Sequence, residues 1–168
     1  MENLSEALRA AIDMEKKGYE LYMSAAEKTS NKLGRETLEA IAVKELDHIA
    51  AIQKFSSDIN AAIGTINPAP KKDYVKPIMD ALRAELEVKV KPDSDLEKAY
   101  EVAMGLEKDS YALYEKLAGK AEDPQAKKFF EFLMGEENIH YELLQETLEY
   151  LNNPGDWFKE QERWMVEG

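Results

Sequence analysis

The 168-residue chain contains no cysteine. That absence excludes disulfides, thiolate metal ligands, zinc knuckles and iron–sulfur or rubredoxin-type sites on these residues, so any electron donor is expected to be a separate molecule. Long apolar runs are missing as well, and nothing approaches the roughly 20 apolar residues of a membrane span. The N-terminus, Met1-Glu2-Asn3-Leu4-Ser5-Glu6, has neither the basic start nor the apolar stretch of a signal peptide, and a cytoplasmic location is the expectation. Positive charge is scarce: 22 Lys and Arg face 34 Asp and Glu, giving a formal charge of −12. Such a surface repels nucleic acid and anionic membranes at long range, so neither is expected as a partner.

What is present is helical periodicity. With 44% hydrophobic and 33% charged residues the chain is that of a soluble globular protein, long enough for one domain with a sizeable core. Four long segments carry apolar residues at helical spacing, and strand-like alternation is essentially absent. The first, capped by Asn3 or Ser5, is expected to run to about residue 29 with Leu4, Leu8, Ala11, Glu15, Tyr19, Tyr22 and Ala26 along one stripe. The second is expected from Asn31 to about residue 63, its stripe reading Leu38, Ile41, Glu45, His48, Ile52, Phe55 and Ile59. A third starts at Asp93 to Asp95 and runs to about residue 121 with Leu96, Ala99, Ala103, Glu107, Tyr111, Tyr114 and Ala118 inward. Asp123 and Pro124, an N-cap followed by a proline that needs no partner for its nitrogen, open the fourth. Its stripe is Phe130, Leu133, Glu137, His140, Leu144 and Leu151, and Asn152-Asn153-Pro154-Gly155 stops it near residue 152. Residues 64–94 hold Gly64, Pro68, Pro70, Pro77 and Pro92 and read as a crossover connection with at most a short helix over Ile78 to Val88. The expected organisation is therefore an all-α four-helix bundle over residues 1–152, followed by a tail at 153–168. Trp157, Phe158 and Trp164 in that tail are expected to pack on a bundle end or seal a subunit interface.

The two halves are copies. Shifting the chain by ninety-two residues lays Ala11, Glu15, Lys16, Tyr19, Leu21, Tyr22 and Ala26 on Ala103, Glu107, Lys108, Tyr111, Leu113, Tyr114 and Ala118 without a gap. The same shift lays Glu45 on Glu137 and His48 on His140, each pair thirty residues or so beyond the first glutamate of its half. The link between the first two helices is short enough to make them an antiparallel hairpin, so the fold is expected to be two duplicated antiparallel hairpins joined by one long crossover. Residues three apart lie on one helical face, so each Glu-x-x-His can present a carboxylate and an imidazole together. Four glutamates and the only two histidines thus form a doubled template for a pair of transition-metal ions, Glu15, Glu45, His48, Glu107, Glu137 and His140 being the candidate ligands. Two iron ions fit best, with manganese or a mixed iron and manganese pair as alternatives. Four buried ionised glutamates repel one another unless they bind protons or cations, and two divalent ions cancel their charge.

On these residues the chain resembles the ferritin-like di-iron carboxylate superfamily, most closely the rubrerythrin-related proteins that lack a rubredoxin domain. The resemblance covers about residues 4 to 152 and rests on Glu15, Glu45-Leu46-Asp47-His48, Glu107, Glu137-Asn138-Ile139-His140 and the tyrosines after each first glutamate. It implies a ferritin-like bundle and a di-iron centre that is oxidised by hydrogen peroxide or dioxygen and re-reduced by an external donor such as a rubredoxin-like protein. It further implies that Glu45 and Glu137 bridge the metals while Glu15 and Glu107 are terminal. Typical rubrerythrins carry an extra glutamate three residues after the third-helix ligand, where this chain has Ser110. The remaining set of four glutamates and two histidines is like that of bacterioferritin, which makes a ferroxidase or iron-sequestering protein without peroxidase turnover the alternative. A metal-binding interaction protein with an inert site is a third reading. A homodimer is expected in preference to a cage.

Tyr22 and Tyr114 lie seven residues after Glu15 and Glu107 on the same helical face and are candidate catalytic groups, able to hydrogen-bond ligand carboxylates. Tyr19 and Tyr111 are weaker candidates. Asp47, Glu20 and Glu136 fall off the ligand stripe and are expected to be solvated, and Met14, Met104 and Met134 are read as core filler.

Overall fold

The computed structural model describes residues 4–58 and 94–153. These form four helices: α1 Leu4–Lys28, α2 Lys32–Phe55, α3 Ser94–Lys120 and α4 Pro124–Asn152. They make the four-helix bundle that the periodicity predicts. Among the described residues no helix is long and apolar enough to cross a membrane.

Local chemistry sets the helix ends. Asn31 has extended backbone (φ −72°, ψ 114°), and its side chain accepts a hydrogen bond from the Gly34 amide at 2.8 Å. The Asn31 amide in turn donates to Thr29 Oγ1 at 3.1 Å, so the α1–α2 link turns within a few residues with its polar groups satisfied. Asp123 does the same for α4, its Oδ1 accepting from Gln125 and Ala126 amides at 2.7 and 3.1 Å with Pro124 in the first turn. Two expectations are corrected. The second helix ends at Phe55, well short of residue 63, because Ser56 and Ser57 turn their hydroxyls back onto the carbonyls of Gln53 and Lys54 at 2.7 and 3.0 Å. The Ser57 amide also bonds the Lys54 carbonyl at 2.9 Å, three residues back, so the last turn tightens out of α geometry. At the other end of the chain, Ser5 lies within α1 and does not cap it, while Leu4 is 51% exposed and belongs to no core stripe. Asn3, Ile59, the 64–94 crossover with its expected helix at Ile78 to Val88, and the tail with Trp157, Phe158 and Trp164 lie outside the described residues.

Packing follows the duplication. The hairpins α1/α2 and α3/α4 each pack internally, and they meet through α1 against α3 and α2 against α4. Two apolar clusters fill opposite ends of the bundle. One joins Tyr22 and Ala26 of α1, Leu33 to Ala42 of α2, Leu96 and Tyr100 of α3, and Leu144 and Leu151 of α4. The other joins Leu8 and Ala11, Ala51 to Phe55, Tyr114 to Ala118, and Ala126 to Leu133. The C-terminal half of α1 therefore lies beside the N-terminal half of α3, and α1 and α3 run antiparallel, as do α2 and α4. Phe55 stacks on Phe129 at 4.5 Å between ring centroids and sits edge-tilted to Phe130 at 5.4 Å, which locks the second cluster. Each fully buried Leu, Ile or Phe in these clusters contributes about 1.5–3 kcal/mol. That apolar material at both ends is what can hold a polar layer dry between them. Met104 and Met134 pack at the edges of the clusters, partly buried.

Candidate metal centre

Between the two clusters the bundle buries Glu15 from α1, Glu45 and His48 from α2, Glu107 from α3, and Glu137 and His140 from α4, none more than 3% exposed. Each sits at the inward position that its helical stripe assigns to it. The structure brings all six together. His48 Nδ1 lies 3.2 Å from Glu15 Oε2 and 3.3 Å from Glu137 Oε1. His140 Nδ1 lies 3.0 Å from Glu45 Oε1, 3.6 Å from Glu137 Oε2 and 3.7 Å from Glu107 Oε2. The two imidazoles stack, their centroids 5.3 Å apart and their planes 14° from parallel. Ligand atoms of Glu15, Glu45, His48 and Glu137 all fall within 4.8 Å of one another, and so do those of Glu45, Glu107, Glu137 and His140. The two sets overlap in Glu45 and Glu137. Gly18 makes room for one of these carboxylates: a Cβ there would stand 3.3 Å from Glu45 Oε2. The duplicated position is Ser110, small and buried as well.

Tyr22 and Tyr114 tie the halves together. Tyr22 donates its hydroxyl proton to Glu107 Oε1, and Tyr114 donates to Glu15 Oε1. Each tyrosine thus serves the first glutamate of the opposite half, so one carboxylate of each hairpin is oriented by the other. Burial and the neighbouring carboxylates push both phenols above their ordinary pKa, which keeps the protons on the tyrosines. Tyr19 packs half-buried against the first apolar cluster, away from the ligands.

Charge in this layer is strongly perturbed. Burial and the negative Glu137 beside it raise the Glu107 carboxyl to about 8. Burial, with Glu15 and Glu137 nearby, lifts Glu45 well above the carboxylate range. Glu15 is buried too, but the adjacent His48 ring and several hydrogen bonds outweigh desolvation and hold it at about 2. Glu137 is likewise lowered: burial and the repulsion of Glu15 push it up, and the polar groups of Glu107, His140 and His48 close beside it push it down further. Both histidines rise well above the imidazole range because Glu15 and Glu107 outweigh their burial. Metal ligation needs Glu45 and Glu107 ionised as well, and the ring nitrogens bare.

The donor set fits divalent ions. Glu45 Oε1, Glu107 Oε2 and both oxygens of Glu137 are buried and make no hydrogen bond of acceptable geometry, although ring nitrogens stand 3.0 to 3.7 Å from them. Close approach without hydrogen-bond direction is what a shared cation between carboxylate and imidazole requires, and orphaned buried acceptors are otherwise costly. Mixed carboxylate and imidazole donors suit iron and manganese.

One residue near the ligands differs from expectation. Glu136 is not solvated but 5% exposed, with Oε2 3.6 Å from His48 Nε2. A Glu136 oxygen and one ring nitrogen from each of His48 and His140 lie mutually within 4.8 Å. A carboxylate on the outer side of an imidazole fixes which nitrogen carries the proton and leaves the other bare for a metal. The duplication is broken here, because the matching position is Lys44, whose ammonium pairs at the surface with Asp47 at 3.8 Å. The sequence did carry a signal: Phe129, Glu136, Leu143 and Tyr150 repeat every seventh residue and are all buried, a second inward stripe beside the ligand stripe. Asp47 and Glu20 are exposed as expected. Next to the ligands, a cavity of about 220 Å3 lies between α3 and α4, lined by Glu107, Lys108, Tyr111, Glu137, Asn138 and Tyr141.

Comparison with known proteins agrees with this geometry. A family model described as Rubrerythrin matches residues 6–148. No curated protein and no solved structure matches the chain. With the match spanning all four helices and every residue of the buried carboxylate and histidine layer, the chain belongs to the rubrerythrin family.

Proposed function

We propose that this bundle holds two iron ions, or manganese in place of one or both, and reduces hydrogen peroxide or dioxygen with electrons from a separate donor. The observation that carries the reading is the overlap of the two ligand sets: Glu45 and Glu137 belong to both, so two cations placed in them would share two carboxylates. Glu15 with His48, and Glu107 with His140, would complete the separate ends. A paired divalent centre supplies two electrons at one place, the number needed to break an oxygen–oxygen bond. The protein's part is to keep the ligands fixed and dry. Tyr22 and Tyr114 orient Glu107 and Glu15 and hold protons one hydrogen bond from the ligand oxygens. The shared carboxylates, each with an oxygen that makes no hydrogen bond of acceptable geometry, can follow the change of charge as the metals cycle. Without cysteine on these residues, the donor is a separate redox protein, of which a rubredoxin-like one is the expected kind.

Stopped-flow mixing of the Fe(II)-loaded protein with hydrogen peroxide and, separately, dioxygen tests the reading. Faster oxidation by peroxide is expected, and comparably slow reactions with both would overturn the enzymatic role. Replacing Glu45 and Glu137 by alanine is expected to abolish paired metal binding, and unchanged stoichiometry would refute the ligand assignment. Ser110, standing where relatives are expected to carry a further carboxylate, leaves the ligand set of a ferroxidase and favours iron oxidation as the second reading. Retained iron near two per chain after aerobic addition of excess Fe(II) would exclude storage.

A further inference from the structure

The cavity between α3 and α4 is larger than a peroxide needs. Its volume is about 220 Å3, whereas an apolar cavity of ~150 Å3 accepts benzene and a water molecule occupies ~30 Å3 of liquid. Its lining grades from solvent to the centre: Lys108 and Asn138 are exposed, Tyr111 and Tyr141 half-buried, and Glu107 and Glu137 are the buried residues at its base. Those two floor residues belong to the same ligand set as His140. Lys108 holds its ammonium 5.2 Å from the centroid of the Tyr141 ring, and Asn138 donates its side-chain amide to Glu142 at 3.2 Å, so the lip is pinned in place. The duplication shows which of these features are particular to this side. Glu107, Lys108, Tyr111 and Glu137 repeat Glu15, Lys16, Tyr19 and Glu45, but Asn138 and Tyr141 stand where the first half has Leu46 and Ile49. The second half alone has an amide and a second phenol at these positions.

We propose that this cavity receives compact organic hydroperoxides, ROOH with R up to about the size of a phenyl-bearing group, and that they are the larger substrates of the centre. The proposal rests on the peroxide-reducing reading above. The organic group lies between Tyr111 and Tyr141, a polar substituent meets Lys108 or Asn138, and the peroxy end points to Glu107 and Glu137. Reduction breaks the oxygen–oxygen bond with two electrons and two protons: ROOH becomes ROH and water. Two Fe(II) ions held by the six buried carboxylate and imidazole groups would supply the two electrons, and the external donor protein would return them.

Two measurements test this. The first needs no turnover: protein loaded with redox-inert Zn(II) is titrated with cumyl alcohol, the reduction product of cumene hydroperoxide, and backbone amide shifts are followed by NMR. Saturable shifts centred on residues 108, 111, 138 and 141 are expected, and none up to the solubility limit would overturn the proposal. The second compares single-turnover oxidation of the Fe(II)-loaded protein by cumene hydroperoxide and by hydrogen peroxide. In the variant Asn138→Leu, Tyr141→Ile, which copies the first half, the ratio of the two rate constants is expected to fall about tenfold or more. Asn138→Trp, at an exposed position where folding is not at stake, is expected to lower the ratio further by filling the mouth. An unchanged ratio in variants that still bind two metals would overturn the proposal. Reaction with hydrogen peroxide but no binding of cumyl alcohol defeats this inference alone. Binding of cumyl alcohol by a protein inert to every peroxide defeats the reductase reading, and the reduction step with it.

Discussion

Glu136 is a buried carboxylate beside the six predicted ligands, and its place makes a prediction. It faces the outer nitrogen of His48 at 3.6 Å, inside a layer from which water is excluded, and adds negative charge behind an imidazole that must act as a donor. Glu136→Gln keeps an oxygen at the same place but removes the charge. Loss of such a partner costs roughly 10–100-fold in metal affinity, to be read by Mn(II) titration with EPR detection of free ion. Lys44→Gln, the same change of charge magnitude at the duplicated but surface-paired position, is expected to leave the affinity where it was. The tyrosines make a matched prediction. Tyr22→Phe and Tyr114→Phe each leave a buried carboxylate oxygen without its donor, so each should destabilise the metal-free protein by about 1–3 kcal/mol. Denaturant unfolding of the two variants checks this, and a cost for only one of them would show that the halves do not orient each other symmetrically.

At the level of helices, what could be read from sequence depended on how local the deciding chemistry is. The α4 start was legible because Asp123 and Pro124 act within one turn, and the ligand stripe was legible because Glu137 and His140 fall on the spacing of Phe130, Leu133 and Leu144. Asp123→Ala is accordingly expected to cost about 1 kcal/mol by thermal unfolding, with metal stoichiometry unchanged, since the cap lies a full apolar cluster away from the ligands. The end of α2 was less legible. Apolar spacing continues past Phe55 to Ile59, and it does not reveal the turn in which the Ser56 and Ser57 hydroxyls fold back on the last helical carbonyls. Glu136 was missed for a different reason. A helix in a bundle packs against two neighbours, here α3 and α2, so its buried face is wider than one stripe and a charged residue beside a ligand can be enclosed by elements remote in sequence. The seven-residue repeat of Phe129, Glu136, Leu143 and Tyr150 marks that second buried stripe, but it occurs once, whereas the six carboxylate and imidazole positions were written twice.

For the whole molecule, the buried layer couples folding to protons and to metal in opposite directions. In the metal-free protein Glu107, raised from 4.5 to about 8, together with Glu45 and both histidines, all raised, binds protons that the unfolded chain has released. Where the folded state binds more protons, stability falls as pH rises, so these groups favour the fold in mild acid and lose that contribution as the pH climbs from about 5 to 8 and beyond. Glu15, lowered from 4.5 to about 2, works the other way: its contribution is present above pH 4.5 and is lost as the pH falls toward 2. The metal-free protein should therefore melt highest in mildly acid solution and lower toward pH 8. Two divalent ions displace the protons held on Glu45, Glu107 and the histidines, and this displacement becomes easier as the solution itself becomes poorer in protons. The rise in melting temperature on adding a fixed excess of Mn(II) should accordingly grow from pH 5 to pH 8, where chelation by EDTA should reverse it. Melting curves at four pH values, with and without metal, measure both slopes at once. A metal-induced rise that is flat across that range would mean the carboxylates and imidazoles of the layer are not the groups that take up the ions.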